Sequence, residues 1–121
     1  MQKFIIIMAV ILIFSAGCTT SPKEGDTVEI TQTGFVPKVL KVSVGDTVTF
    51  VNRDVKSHWP ASADHPTHAG YPEEGGCIGS KFDSCGPLKT GEIFYFKFNQ
   101  KGTWSYHDHI DSSLTGTVIV E

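Results

Sequence analysis

From residue 27 onward the apolar residues alternate with polar ones instead of recurring every three or four positions, which is the period of a strand and not of a helix. Thr27 to Thr31 places Val28 and Ile30 on one face. Lys38 to Val44 does the same with Leu40, Val42 and Val44, and Gly45-Asp46 turns that segment into Thr47 to Asn52, where Val48 and Phe50 alternate with threonines. Glu92 to Phe98 aligns Phe94, Phe96 and Phe98, Gly102 to His107 gives another strand, and Gly116 to Glu121 closes the pattern with Val118 and Val120. No segment reads as a helix. About seven short strands separated by glycine turns predict an all-β sandwich or barrel.

Residues 53 to 90 break the alternation. They contain Pro60, Pro66, Pro72 and Pro87, five glycines and the pair Cys77 and Cys85. A connection of that length inside a small domain is uncommon and is usually functional.

The amino-terminal segment follows a different pattern and is expected to lie outside the domain. Lys3 precedes an unbroken apolar run of eleven residues, Phe4 to Phe14, and then Ser15-Ala16-Gly17-Cys18. The run is shorter than the roughly 20 residues a spanning helix needs, and its flanks are those of a cleaved signal peptide. The small-small-cysteine ending resembles the lipobox of bacterial lipoproteins, although Ser15 stands where leucine is usual. The organisation expected is therefore a signal peptide at 1–17 with Cys18 lipidated, a tether at 18–26 and one domain at 27–121, with simple secretion or an uncleaved anchor as the alternative to lipidation. That architecture implies export and membrane anchoring, at the cell surface or in the periplasm.

Charge narrows the range of partners. Residues 18 to 121 carry nine basic and thirteen acidic side chains, a balance of −4 before histidine is counted, and no Lys/Arg cluster occurs. A nucleic-acid binder would carry a basic stripe. With Cys18 assigned to lipid, Cys77 and Cys85 form an even pair in an oxidising compartment, and a disulfide is expected in preference to a thiolate metal ligand.

All five histidines fall in two short stretches. The first runs from Ser57 to His68 and holds His58, His65 and His68; the second, Trp104 to His109, holds His107 and His109. Alternate side chains of a strand share a face, so His107 and His109 point the same way and Asp108 the other. Imidazole suits copper, zinc, iron and nickel, and among divalent ions a nitrogen-rich site gives copper the highest affinity. The reading is a metal site built from His58, His65, His68, His107 and His109, with copper as the ion and zinc as the alternative. Asp108 and Asp111 are candidates for oxygen ligands or for carboxylates that orient an imidazole. Trp59, Trp104 and Tyr106 are candidates for walling the site off from water.

These residues resemble the cupredoxins, especially the amicyanin and plastocyanin group, over residues 34 to 121. Gly34-Phe35-Val36-Pro37 and Val42 to Asn52 look like that family's early hairpin, and His58 stands where its first histidine ligand follows. Gly102 to His107 and Gly116 to Glu121 look like its two closing strands. The resemblance implies a Greek-key sandwich with a copper site at one end. In the closing loop, however, Asp108 takes the place of the cysteine ligand, Asp111 that of the histidine and Leu114 that of the methionine, so only His58 is kept. A blue-copper centre cannot be assembled from this set. Trp104 to His109 is also similar to the His-x-His strands of multicopper oxidases, which implies a role for His107 and His109 without sulfur.

The function expected is copper handling or electron transfer by a non-blue histidine site, with a redox or copper-transfer protein as partner. Two other classes stay open at this level. One is a small copper enzyme acting on dioxygen, superoxide or nitrite; the other is a metal-free binding module.

Overall fold

A computed structural model of the chain describes residues 26–121, and the segment read as signal peptide, lipidated Cys18 and tether lies outside the described residues apart from Asp26. Eight strands form: β1 (Thr27–Thr31), β2 (Gly34–Val36), β3 (Val39–Val42), β4 (Thr47–Asn52), β5 (Pro60–Ser62), β6 (Ile93–Lys97), β7 (Gly102–Asp108) and β8 (Thr115–Val120). They make two four-stranded sheets, ordered β2-β1-β4-β6 and β3-β8-β7-β5. The all-β sandwich expected from the alternation is the fold observed.

Two pairings are parallel, β1 with β4 and β3 with β8, and the rest are antiparallel. The short strand β5 is the addition that matters for function. It rises out of the long 53–90 connection and pairs with β7 in the register Pro60 to Asp108, Ala61 to His107 and Ser62 to Tyr106. As an edge strand it tolerates a proline at its start, because the missing N–H would have faced away from the ladder. The segment expected to be one strand from Lys38 to Val44 ends at Val42; Val44 turns outward and is 49% exposed.

The core is aromatic. Phe50 of β4, Phe96 and Phe98 from β6 and its end, and Tyr106 of β7 meet Tyr71 and Phe82, which the long connection contributes. Tyr71 and Phe82 are 1% and 0% exposed, so that connection is packed into the sandwich and is not a surface appendage. Tyr71 fastens it further, its hydroxyl accepting hydrogen bonds from the backbone N–H groups of Asn99 (3.0 Å) and Gln100 (3.2 Å). The Tyr106 ring lies over Gly116 on β8, where a Cβ would run into its outer atoms. A glycine at 116 is what lets the ring lie flat on the neighbouring strand.

The expected disulfide joins Cys77 to Cys85. It closes the short loop whose Phe82 enters the core, so the cross-link restrains the flanks of the segment that Phe82 anchors.

Candidate metal centre

Strand β7 places successive side chains on opposite faces of its sheet. Trp104, Tyr106 and Asp108 point inward, while Ser105 and His107 point outward, and His109 continues the outward row. His109 stays in line with the strand because its N–H donates to the Trp59 carbonyl at 2.7 Å. The next connection after β5 folds back over this outer row. Ala63 N–H donates to the Ser105 carbonyl, His68 N–H to the Asp64 carbonyl and Gly70 N–H to the Ala63 carbonyl, so residues 63 to 70 close into a compact loop. His68 sits in the left-handed region (φ 53°), a conformation that costs a non-glycine residue on the order of 1 kcal/mol. Gly79 packs against the backbone of Thr67 and His68, where any Cβ would collide, and so braces the loop in that shape.

The consequence is a convergence of four imidazoles. His65, His68, His107 and His109 each offer one nitrogen, and these nitrogens lie within 4.8 Å of one another. His65 Nδ1 is 3.2 Å from His107 Nε2, and His68 Nε2 is 2.9 Å from His109 Nδ1. Two metal–nitrogen bonds of about 2.0–2.1 Å place their nitrogens about 2.9 Å apart at a right angle and about 3.4 Å apart at the tetrahedral angle. The observed spacings fit a single first-row ion. The rings are set nearly perpendicular in two contacts, His65 with His107 (84°) and His68 with His109 (84°), so their edges and not their faces meet at the centre.

Electrostatics favour the neutral, ligating form. Burial, and then the fields of His68, His65 and His109, hold the His107 imidazolium below its usual pKa. His107 is 4% exposed, and its Nδ1 has no hydrogen-bond partner among the described residues. His68 is fully buried, and its Nδ1 faces the Asp83 carboxylate at 2.7 Å. The carboxylate accepts, so Nδ1 carries the proton and Nε2 keeps its lone pair for the centre. The other oxygen of Asp83 accepts from Trp59 Nε1 (2.6 Å) and from the Cys85 backbone N–H (2.7 Å). One buried carboxylate thereby ties a candidate ligand, an aromatic wall and the disulfide loop together. Trp59 completes the wall with its ring 4.5 Å from that of His109.

His58 does not join this group, which corrects the ligand set read from the sequence. Its Nδ1 is 2.6 Å from Asp108 Oδ2 and its Nε2 2.8 Å from Asp54 Oδ2. Burial pushes the imidazolium down, but the hydrogen bonds and charges of Asp108 and Asp54 outweigh it and hold the His58 pKa above its usual value. Flanked by two acceptors, both ring nitrogens donate, and neither has a lone pair left for a metal. Asp108 is correspondingly no ligand of the imidazole centre. It points to the other face of β7, is 0% exposed, and also accepts from the N–H groups of Trp59 and Ile110. Asp111 is exposed and closes the 111–114 turn by accepting from Ser113 N–H and Oγ; these hydrogen bonds lower its pKa. Of the expected walls, only Trp59 touches the cluster. Tyr106 belongs to the core, and Trp104 packs on Tyr71 and donates to the Gln100 carbonyl.

Comparison with solved structures places the chain. A purple cupredoxin from Nitrosopumilus maritimus superposes with a TM-score of 0.64 at 25% identity, over 78% of this chain and 98% of that one. An oxidized amicyanin variant superposes with a TM-score of 0.65 at 26% identity, and the Cu(I) form of another with 0.63 at 28%, each over 78% of this chain and 80% of the amicyanin. This is a cupredoxin-like protein. No family model and no curated protein matches it.

Within the cupredoxin-like domain, the position that the sequence resemblance assigns to the cysteine ligand is Asp108, and it is locked to His58. The two described cysteines are bonded to each other, so the neighbouring group of Cys77, Asp83 and Cys85 offers no free thiolate. The metal-ligating potential of the domain therefore lies on the outer face of β7, under the 63–70 loop. Asp83 is the residue that sequence reasoning missed. Nothing in its local sequence marks it, since its partners His68 and Trp59 are 15 and 24 residues away.

Proposed function

We propose that this protein binds one copper ion through His65, His68, His107 and His109 and serves in copper handling outside the cytoplasm, anchored to a membrane through Cys18. The observation that carries the reading is the convergence of four imidazole nitrogens, one of them oriented by Asp83, in a cupredoxin-like sandwich. A donor set made only of nitrogen suits copper above zinc in the affinity order, and amicyanin, whose Cu(I) form superposes on this chain, is a copper protein of the same fold. Copper bound here supplies a one-electron couple without the thiolate that gives blue sites their colour and much of their fitness for fast electron exchange. The chain's own contribution is to hold four imidazoles in place, orient His68 through its Nδ1–Asp83 hydrogen bond and cover His109 with Trp59.

Metal analysis and equilibrium dialysis test the reading. One copper per chain, retained in competition with zinc, supports it; a chain that retains no copper at micromolar concentration, or that retains zinc in preference, refutes it. The copper(II) form is expected to show weak visible absorption, and an intense blue or purple band would sink the all-nitrogen set. The anchoring part is tested by cell fractionation and mass analysis of the mature amino terminus. Recovery of the protein in the soluble cytoplasm ends that part.

A further inference from the structure

The four imidazoles are unequally held. His68 is 0% exposed and fixed by Asp83, His107 is 4% exposed on a strand paired on both sides, and His109 is covered by Trp59. His65 is exposed, and its described contacts are with the other three rings alone. Beside it an open cleft of about 340 Å³ runs along the outer face of β7 and β8. It is lined by His65 and His107 together with Asp64, Ser105, Ser112 and Thr117, and no lysine or arginine borders it. The cleft therefore reaches the centre past the one ligand that is not clamped. Its only charged wall is a carboxylate, which attracts a cation and turns away anions.

We infer that this cleft is the route by which the metal enters and leaves, and that His65 is the ligand that detaches. The inference rests on the copper reading above and adds the mechanism of exchange. His107 on β7, His109 just past its end and the buried His68 hold the ion from one side. On the other, the bond to His65 breaks as a neutral nitrogen or sulfur donor of an acceptor chain takes its place. One metal–ligand bond is lost and one is made, no electron moves, and His65 swings into solvent. The acceptor is accordingly a protein or chelator that presents neutral donors on a narrow projection, not an anionic one.

The test follows copper moving from the loaded full chain in detergent to an excess of a neutral chromogenic chelator by stopped flow, with stoichiometry measured separately. His65→Ala is expected to keep near-stoichiometric copper and release it at least about tenfold faster, whereas His68→Ala is expected to lose stoichiometric binding. Ser105→Trp, which fills the cleft and replaces no ligand, is expected to slow release at least about fivefold at unchanged stoichiometry. Thr117→Trp, its cross-strand neighbour, repeats the block should the first variant fail to fold. Unchanged release in both filled variants overturns the inference, as does His65→Ala losing copper as completely as His68→Ala. A wild-type chain that takes up no copper overturns the copper reading itself, an outcome distinct from these.

Discussion

The two faces of strand β7 carry polar centres of opposite character only one residue apart. On the inner face His58 sits between the Asp108 and Asp54 carboxylates at 2.6 and 2.8 Å, and both ring nitrogens are taken up. On the outer face His107 and His109 meet His65 and His68, four imidazoles gathered around one point with a single carboxylate, Asp83, behind His68. The first centre is complete as folded. The second consists of groups that repel one another once protonated and gain from a shared cation. The difference separates two tasks on one strand: a hydrogen-bonded ion pair fills its inner face, and the imidazoles gather on its outer face.

Several substitutions separate the faces. Replacing both His107 and His109 by alanine is expected to abolish copper retention in equilibrium dialysis while leaving the far-ultraviolet dichroism that of a β-sandwich. The largest effect on stability is expected from His58→Ala, which strands the buried Asp108 carboxylate without its cation; breaking one partner of a buried pair costs about 3 kcal/mol. Urea unfolding of the metal-free protein measures it, and copper stoichiometry in the folded variant is expected to stay at one. If His58→Ala emptied the site while leaving stability unchanged, the division of labour between the faces would be reversed.

Between these extremes lies Asp83→Asn, which keeps the shape but removes the charge behind His68. A competition titration is expected to show copper affinity falling about 10- to 100-fold, the usual loss for an orienting carboxylate. Wild-type affinity in that variant would mean that Asp83 serves only Trp59 and the disulfide loop.

The smallest effect is on pH dependence. His58 has a folded-state pKa raised above the unfolded value of about 6.5, so its stabilising contribution is fully present below about pH 6.5 and is lost as pH rises through the raised value. Asp54, its pKa lowered chiefly by the hydrogen bond to His58, contributes above the unfolded carboxylate range and loses that contribution as pH falls through the lowered value. The stability gap between wild type and His58→Gln is therefore expected to be widest from the carboxylate range up to about pH 6.5 and to narrow in alkali. Denaturant midpoints across that range decide it; a gap that widened with rising pH would contradict a charged His58.

Much of the fold was legible before any coordinates. The alternation of Val28 with Ile30, Val48 with Phe50 and Phe94 with Phe96 and Phe98 specified strands because a sheet with one buried face admits only a period of two. It also put His107 and His109 on one side of their strand and Asp108 on the other. Strand β5 was not legible, since three residues, Pro-Ala-Ser, are too short to show a period. The tight turn at His68 was not legible either, because Gly79, which braces it, follows eleven residues later in the chain.

The sequence by itself determined the alternation of faces along β7 and the absence of a thiolate from the closing loop, which follow from local spacing and residue chemistry, and it led to the expectation of a Cys77–Cys85 bridge once Cys18 was assigned to lipid. Only the tertiary structure decided which histidines meet. His58 lies nearest its strand in sequence yet is claimed by two carboxylates, while His65 and His68 reach the centre because Tyr71 and Phe82 bury the long connection in the core. Burying those two rings positions the loop between them and β5, and that packing is set by contacts tens of residues apart.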